Sequence, residues 1–124
     1  MKTLKNTLAI TVLFFLTASV IPIQSNALTL MHNHSNSEAE FKVLGNCGMC
    51  TTRIENAAKS VKGVSTATYS LEDQKLTVEF RSDRTSVEDI EKAVAEVGHD
   101  TENIKADDKT YKNLHQCCKY PREK

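Results

Sequence analysis

The stretch GNCGMC at positions 45–50 holds the residues best suited to chemistry, Cys47 and Cys50. A pair of cysteines with this spacing can form a disulfide, act as a redox switch or bind a metal ion between two thiolates. Glycine tolerates backbone conformations that other residues avoid. Gly45 and Gly48 would therefore let the loop bend until both sulfurs point at one ion.

A second pair, Cys117 and Cys118, lies near the other end of the chain and completes its four cysteines. Both pairs are local in sequence, and a disulfide that closes so short a loop restrains the unfolded chain very little. We therefore expect each cysteine pair to have a chemical role and not to stabilise the fold. Four roles stay open for the second pair: a ligand at the first pair's metal, a disulfide partner of a loop cysteine, a free thiol, or capture of a metal or thiol from a partner.

The first 27 residues have the layout of a secretory signal peptide. Lys2 and Lys5 precede an apolar run over residues 8–23, and small residues lead to a predicted cleavage after Ala27. The alternative is a retained membrane anchor, but a bilayer span needs about 20 apolar residues. We therefore expect a periplasmic or secreted protein, and in such an oxidising compartment four cysteines would by default form two disulfides.

The segment that follows, residues 28–37, is polar and predicted to be a flexible leader. Its two histidines, His32 and His34, are expected to be solvated and not to bind metal. Without Lys2 and Lys5 the mature chain keeps 14 basic residues against 16 acidic ones, a net charge of −2. This balance gives no electrostatic basis for binding nucleic acid.

The first elements of the predicted domain are a strand and an amphipathic helix. Phe41 and Val43 alternate with their neighbours, which predicts the strand. The helix is predicted to begin near Cys50 or Thr51 and to end at Gly63. Its buried stripe has four residues at helical spacing: Ile54, Ala57, Ala58 and Val61.

A hairpin and a second helix come next. Residues 64–71 and 76–80 alternate between apolar and polar side chains and predict two antiparallel strands. Thr85 and Glu88 fit a capping box, T-x-x-E, so a helix is predicted to open at Thr85 and to end at Gly98. Its predicted buried stripe is Val87, Ile90, Val94 and Val97.

A short last strand is predicted within residues 100–106, around Ile104. The order β-α-β-β-α-β predicts an α+β, ferredoxin-like sandwich, with a four-stranded antiparallel sheet and two helices on one face. This domain is predicted to span residues 38–106. Residues 107–124 would then form a separable polar tail that carries the second cysteine pair and docks through Tyr111, Leu114 and Tyr120.

The predicted helix start places Cys50 beside unpaired backbone N–H groups and the positive end of the helix dipole. Both favour a thiolate, which is the form that binds metal, and Arg53 one turn later adds positive charge. Two thiolates at this spacing suit a soft, low-coordinate ion. Cu(I) fits best, and Hg(II), Ag(I) or Zn(II) are possible.

The chain resembles the heavy-metal-associated domain family, which includes copper chaperones, amino-terminal domains of metal-pumping ATPases and a periplasmic mercury-binding protein. The resemblance covers roughly residues 39–106 and rests on the element order, the C-x-x-C loop and three stretches of sequence. These are IENAAKSVKGV (54–64), SLEDQKLTVEF (70–80) and IEKAVAEVGHD (90–100). It implies that Cys47 and Cys50 are the metal ligands.

Two positions depart from the family's pattern. The family usually reads G-M-x-C-x-x-C, but Gly45 stands here in place of the methionine, and Met49 lies between the cysteines as a cover for the loop or a third ligand. His99 stands where many bacterial relatives have tyrosine, and a structural or tuning role is favoured over ligation. His115 and the second cysteine pair are further candidate ligands.

These observations predict a non-enzymatic, exported protein that binds a soft metal and passes it by thiolate exchange to a membrane transporter or efflux component. It would be a monomer or a metal-bridged dimer. A periplasmic thiol–disulfide oxidoreductase is the rival, since C-x-x-C is also a redox motif, although the element order does not suit a thioredoxin fold. A passive metal buffer is a third possibility.

Overall fold

The computed structural model describes residues 35–122. The predicted signal peptide, His32 and His34 lie outside the described residues, as does most of the predicted leader. Within residues 35–122, none of the helices is long and apolar enough to cross a membrane.

Three strands form one antiparallel sheet: β1 (Asn36–Lys42), β2 (Val64–Ser70) and β3 (Lys75–Arg81). Their order is β1-β3-β2, with β3 paired to both neighbours. Leu76 of β3 faces Phe41 of β1 and Tyr69 of β2, and all three are buried. Alternation along the strands thus places one face of the sheet in the core, as the sequence predicts. β1 begins two residues inside the predicted leader.

Helix α1 (Gly48–Ser60) begins earlier than predicted. The carbonyl of Cys47 accepts hydrogen bonds from the N–H groups of Cys50 (2.9 Å) and Thr51 (3.2 Å), so Cys47 is already the N-cap. The helix packs against β2 and buries four residues: Cys50, Ile54, Ala57 and Ala58. Gly63 has a φ of +113°, which favours glycine, and the chain turns there into β2.

Helix α2 (Val87–Glu96) packs against α1 and has a capping box one residue later than predicted. The hydroxyl of Ser86 accepts a hydrogen bond from the N–H of Asp89, and the Asp89 carboxylate accepts one from the N–H of Ser86. The N–H of Thr85 bonds to the carbonyl of Arg81 and closes the turn after β3, so it cannot donate to the Glu88 carboxylate as the predicted box requires, and the Thr85 hydroxyl caps no helix N–H. The predicted capping box of Thr85 and Glu88 is therefore wrong, although the predicted helix is present.

The predicted fourth strand is not formed in the described residues. Only an isolated bridge joins Val43 to Thr101. The N–H of Thr101 donates to the carbonyl of Ile104 (2.8 Å), and the Thr101 hydroxyl bonds the same residue, so this segment closes on itself as a turn. The N–H of Asn103 is bonded by the buried carboxylate of Glu91. These local bonds use backbone groups that a strand needs for pairing.

The last segment packs into the core instead of forming a separable tail. It contains a short helix, α3 (Asp108–Lys112), and a single 3-10 turn at Gln116–Cys118. Leu114, Cys118 and Tyr120 are buried with the residues of the sheet and the first two helices. The boundary predicted at residue 106 is therefore not a boundary in packing.

Tyr120 ties this segment to the loop that follows α2. Its hydroxyl accepts a hydrogen bond from the N–H of Asp100 (2.7 Å) and donates one to the carbonyl of Gly98 (2.9 Å). The guanidinium of Arg122 bonds the Asp100 carboxylate and the carbonyl of Ala106. The side chains of Tyr120 and Arg122 thus bond both the backbone and a side chain of residues 98–106.

We predict that Tyr120→Phe destabilises the protein by about 1–3 kcal/mol, because it leaves a buried N–H and a buried carbonyl without partners. Urea unfolding followed by circular dichroism measures the change. Tyr111→Phe is the matched comparison, since its half-buried hydroxyl bonds only the carbonyl of Tyr120 and its loss should cost less. Equal stability of Tyr120→Phe and the wild type would contradict the role assigned to this hydroxyl.

Candidate metal centre

The cysteine loop lies at the amino terminus of α1. Cys47 has extended backbone (φ −159°, ψ 170°) and Cys50 lies in the first turn. The N–H of Asn46 points at the Cys50 sulfur, 3.3 Å away. The N–H of Asn46 and the positive end of the helix dipole therefore favour negative charge at this loop.

Hydrogen bonds from two separate parts of the chain hold the loop in place. The N–H of Leu44 donates to the carbonyl of Asp100 (2.8 Å), and the side-chain amide of Gln74 donates to the carbonyl of Gly45 (3.0 Å). The carbonyl of Gln74 also accepts from the N–H of Val43 (2.9 Å). Gln74 adopts a φ of +53°, a left-handed conformation that is uncommon outside glycine. In this conformation both its side-chain amide and its backbone carbonyl bond residues of the loop.

The structure brings a third sulfur to the pair. The Sγ atom of Cys47 lies 3.4 Å from that of Cys50 and 3.6 Å from that of Cys118. All three sulfurs lie within 4.8 Å of one another, and none of the four described cysteines is in a disulfide. We call Cys47, Cys50 and Cys118 the trithiol cluster. Cys118 thus differs from its neighbour Cys117, which sequence alone did not separate from it.

These spacings fit three-coordinate binding. Three sulfurs in a plane, each about 2.3 Å from one ion, are about 4 Å apart, whereas two sulfurs on opposite sides of an ion are about 4.6 Å apart. The distances from Cys47 to its two neighbours, 3.4 and 3.6 Å, are closer to the first arrangement. The cluster therefore needs only a small expansion to hold an ion between three thiolates.

The pKa values of two thiols in the cluster are shifted in opposite directions. Burial opposes ionisation of Cys47, but the backbone N–H of Cys50 and the neighbouring thiols stabilise its thiolate and lower its pKa from 9.0 to about 7. Burial raises the pKa of Cys118, and its hydrogen bonds with Cys50 and Cys47 raise it further. At neutral pH the cluster therefore combines a partly ionised Cys47 with a protonated Cys118.

Met49 and Cys117 lie outside the cluster and next to each other. The Cys117 sulfur is 3.7 Å from the Met49 sulfur and 3.9 Å from the Cys118 sulfur. Both side chains are exposed, with 49% of Met49 accessible. Met49 is therefore positioned at the surface beside Cys117, and the trithiol cluster forms without it.

The two candidate histidines do not belong to the cluster. His99 is fully buried, its Nδ1 atom lies 2.8 Å from the Leu44 carbonyl, and its ring stacks on Tyr120. Burial lowers the pKa of His99, so the neutral ring is favoured. His99 is thus held by a hydrogen bond and by stacking, away from the three sulfurs. His115 is exposed and caps the 3-10 turn that carries Cys118.

Tyr69 is a supporting residue that sequence reasoning did not single out. Its hydroxyl donates to the carbonyl of Val43 (2.9 Å), directly before the loop. A Cβ atom on Gly45 would lie 2.7 Å from that hydroxyl oxygen and 3.2 Å from the Cβ of Cys50. The tyrosine thus fills the space under the loop, and glycine at position 45 makes room for it. The available signal was the inward position of Tyr69 in the alternation of β2.

Burial, together with the charge of Cys50, raises the pKa of Tyr69 to about 12. The hydroxyl therefore stays protonated and keeps donating to Val43 across the physiological pH range. A neutral donor thus supports the loop without adding negative charge near the sulfurs.

Comparisons with known proteins agree with this geometry. The heavy-metal-associated domain matches residues 46–100. A copper-exporting P-type ATPase of Bacillus subtilis is 31% identical over 78 residues, which make up 62% of this chain and 10% of the ATPase. The chain therefore spans about a tenth of the length of that relative.

Two solved structures share the fold. Oxidized MerP from Ralstonia metallidurans is 28% identical, with a TM-score of 0.53, and the match covers 55% of this chain and 96% of MerP. The copper chaperone of Enterococcus hirae in its apo form is 32% identical, with a TM-score of 0.50, and the match covers 55% of this chain and 100% of the chaperone. With this coverage, and with the domain matched over its cysteine loop, the chain belongs to the heavy-metal-associated domain family.

Proposed function

We propose that this protein is an exported, non-catalytic carrier of a soft metal ion, Cu(I) foremost. It binds the ion in the trithiol cluster and passes it to a membrane transporter or efflux component. The observation that carries the proposal is the convergence of three cysteine sulfurs at the amino terminus of α1. Export is supported by the sequence of residues 1–27 alone.

The donor set favours Cu(I) over Zn(II). Thiolates select soft ions, and a structural zinc site takes four protein ligands, whereas the cluster offers three sulfurs. Hg(II) and Ag(I) suit the same donors, and MerP is among the proteins with this fold. Similarity to a copper-exporting ATPase and to a copper chaperone supports Cu(I) as the cargo.

Release of the ion would start at Cys47. Cys50 and Cys118 are fully buried, while Cys47 keeps part of its surface accessible. A thiolate of an acceptor protein can therefore reach the metal beside Cys47, form one metal–sulfur bond and let another break. Each exchange conserves the number of bonds to the ion, so the ion never leaves sulfur coordination.

We predict that Cys47→Ser and Cys50→Ser each weaken Cu(I) binding by at least about two orders of magnitude, or roughly 2.8 kcal/mol. The helix and strand content should not change, because serine is close to cysteine in size. Competition with a chromogenic Cu(I) chelator under anaerobic conditions measures affinity, and circular dichroism measures the fold. Undiminished affinity in the double variant would show that the site is elsewhere.

We predict that Cys118→Ser lowers the number of sulfur ligands from three to two, because its sulfur completes the cluster. X-ray absorption at the copper edge counts these ligands. Cys117→Ser is the matched control: it makes the same change one residue away and should retain three. If Cys118→Ser also retained three sulfur ligands, the tail would have no part in the bound state.

A passive metal buffer is the second candidate, and the full burial of Cys118 favours it, since a third, shielded thiolate slows release. Transfer distinguishes the two functions. A carrier loaded with Cu(I) should hand it to the isolated amino-terminal domain of a copper-transporting ATPase faster than Cu(I) dissociates into a chelator of equal affinity. Equal rates would indicate a buffer.

The redox alternative has its own measurement. A thiol–disulfide oxidoreductase would reduce insulin disulfides in the presence of a thiol reductant, and a carrier would not. Turnover that depends on Cys47 and Cys50 would move the assignment to the oxidoreductase.

A further inference from the structure

Two sulfur-bearing side chains lie next to the trithiol cluster without belonging to it. Met49 lies in the first turn of α1, between the two loop cysteines in sequence, and Cys117 lies in the 3-10 turn. Their sulfurs are 3.7 Å apart, and both side chains are exposed. Residues 68 positions apart in the chain thus present a thioether and a thiol together at the surface.

Together with the cluster, these two sulfurs form a continuous series from solvent to core. Met49 is 3.7 Å from Cys117, and Cys117 is 3.9 Å from Cys118. Cys118 is 3.6 Å from Cys47, which is 3.4 Å from Cys50. No step in the series exceeds the sulfur–sulfur separation of about 4 Å that one bound ion can bridge.

Neither side chain has a packing role that accounts for its position. Methionine normally fills gaps in a core, but nearly half of Met49 is accessible, so it covers the loop poorly. Cys117 contributes nothing to the buried core, which contains its neighbour Cys118 instead. An exposed thiol is also chemically vulnerable, so its placement within 3.7 Å of a thioether sulfur points to ligand chemistry.

We propose that Met49 and Cys117 form a surface site that captures a soft monovalent ion, Cu(I) or Ag(I), and delivers it to the trithiol cluster. The inference rests on the proposed function and adds the route by which the ion reaches the buried ligands. A thioether binds without losing a proton, so Met49 can take the ion at once. Cys117, whose sulfur lies 3.7 Å from that of Met49, adds a second bond to the ion as its thiol proton passes to water.

Delivery is a sequence of ligand exchanges with no change in the oxidation state of the ion. A bond from the ion to the Cys118 sulfur forms, the Cys118 thiol proton passes to water, and the bond to Met49 breaks. Bonds to Cys47 and Cys50 then form as their remaining thiol protons pass to water, and the bond to Cys117 breaks as its sulfur takes a proton back from water. Tethering the donors within one fold makes each exchange intramolecular, at a high effective concentration.

The test separates the rate of loading from the final affinity. Stopped-flow measurements follow transfer of Cu(I) from a chromogenic chelator complex to the reduced protein without oxygen. We expect Met49→Leu and Cys117→Ser each to slow loading by about tenfold, from loss of the tethered first ligand, with an equilibrium affinity within about twofold of the wild type. Leu71→Ala, which truncates another exposed apolar side chain, is the control and should load at the wild-type rate.

Direct observation of Met49 provides a second readout. With the methionine methyl groups labelled with ¹³C, substoichiometric Ag(I) should shift or broaden the Met49 signal in Cys118→Ser, where delivery is interrupted. An unmoved signal together with wild-type loading rates in both variants would overturn the surface site. Affinity losses as large as the rate losses would also overturn it, because both residues would then be ligands of the final site. If the wild-type protein bound neither ion, the proposed function itself would fail.

Discussion

The hydroxyl of Tyr120 is the interaction on which the arrangement of the site depends. It bonds the backbone on both sides of His99, at Gly98 and at Asp100, and so fixes the chain end to the loop after α2. The backbone carbonyl of Asp100 in turn accepts a hydrogen bond from the N–H of Leu44, at the start of the cysteine loop. Because Cys118 lies two residues before Tyr120, this one anchor sets the third sulfur 3.6 Å from Cys47.

Folding and metal binding are consequently linked through the last segment of the chain. Leu114 and Tyr120 pack in the core on either side of the 3-10 turn, so the turn is supported before any ion binds. A ligand that binds only the folded arrangement stabilises it by mass action. An ion held by Cys118 would thus also strengthen the docking of this segment, and removal of the ion would loosen the same contacts.

Sequence patterns predicted the local elements well, because helix and strand periodicity depends on neighbouring residues. The hairpin of β2 and β3 is confirmed, and so is the stripe of α1 from Ile54 to Ala58, whereas its last predicted member, Val61, is the half-buried C-cap. The errors arise where two neighbouring residues, or two hydrogen-bond patterns of one segment, are both compatible with the sequence. Ser86 and Asp89 form the capping box of α2, because the N–H of Thr85 closes the preceding turn and is not available to Glu88. Thr101 bonds Ile104 instead of pairing as a strand.

The composition of the site was harder to predict than its existence. Cys47 and Cys50 are recognisable from spacing, but Cys118 meets Cys47 across 71 residues of sequence. No pattern distinguishes Cys118 from Cys117, because the distinction comes from the 3-10 turn, which points one sulfur into the core and leaves the other exposed. The support that Tyr69 gives to the loop was not predictable for a similar reason, because it depends on the space that Gly45 leaves for the tyrosine hydroxyl.

Unequal burial within the cluster would give the proposed ligand exchange a direction. Cys50 and Cys118 are enclosed, whereas Cys47 is partly accessible and its pKa is lowered to about 7. In the proposed transfer, an acceptor's sulfur would meet the ion on the Cys47 side, where one bond can be replaced while the two buried sulfurs still hold the ion. The raised pKa of Cys118 means that its sulfur would take up a proton once released, and this protonation would favour departure of the ion.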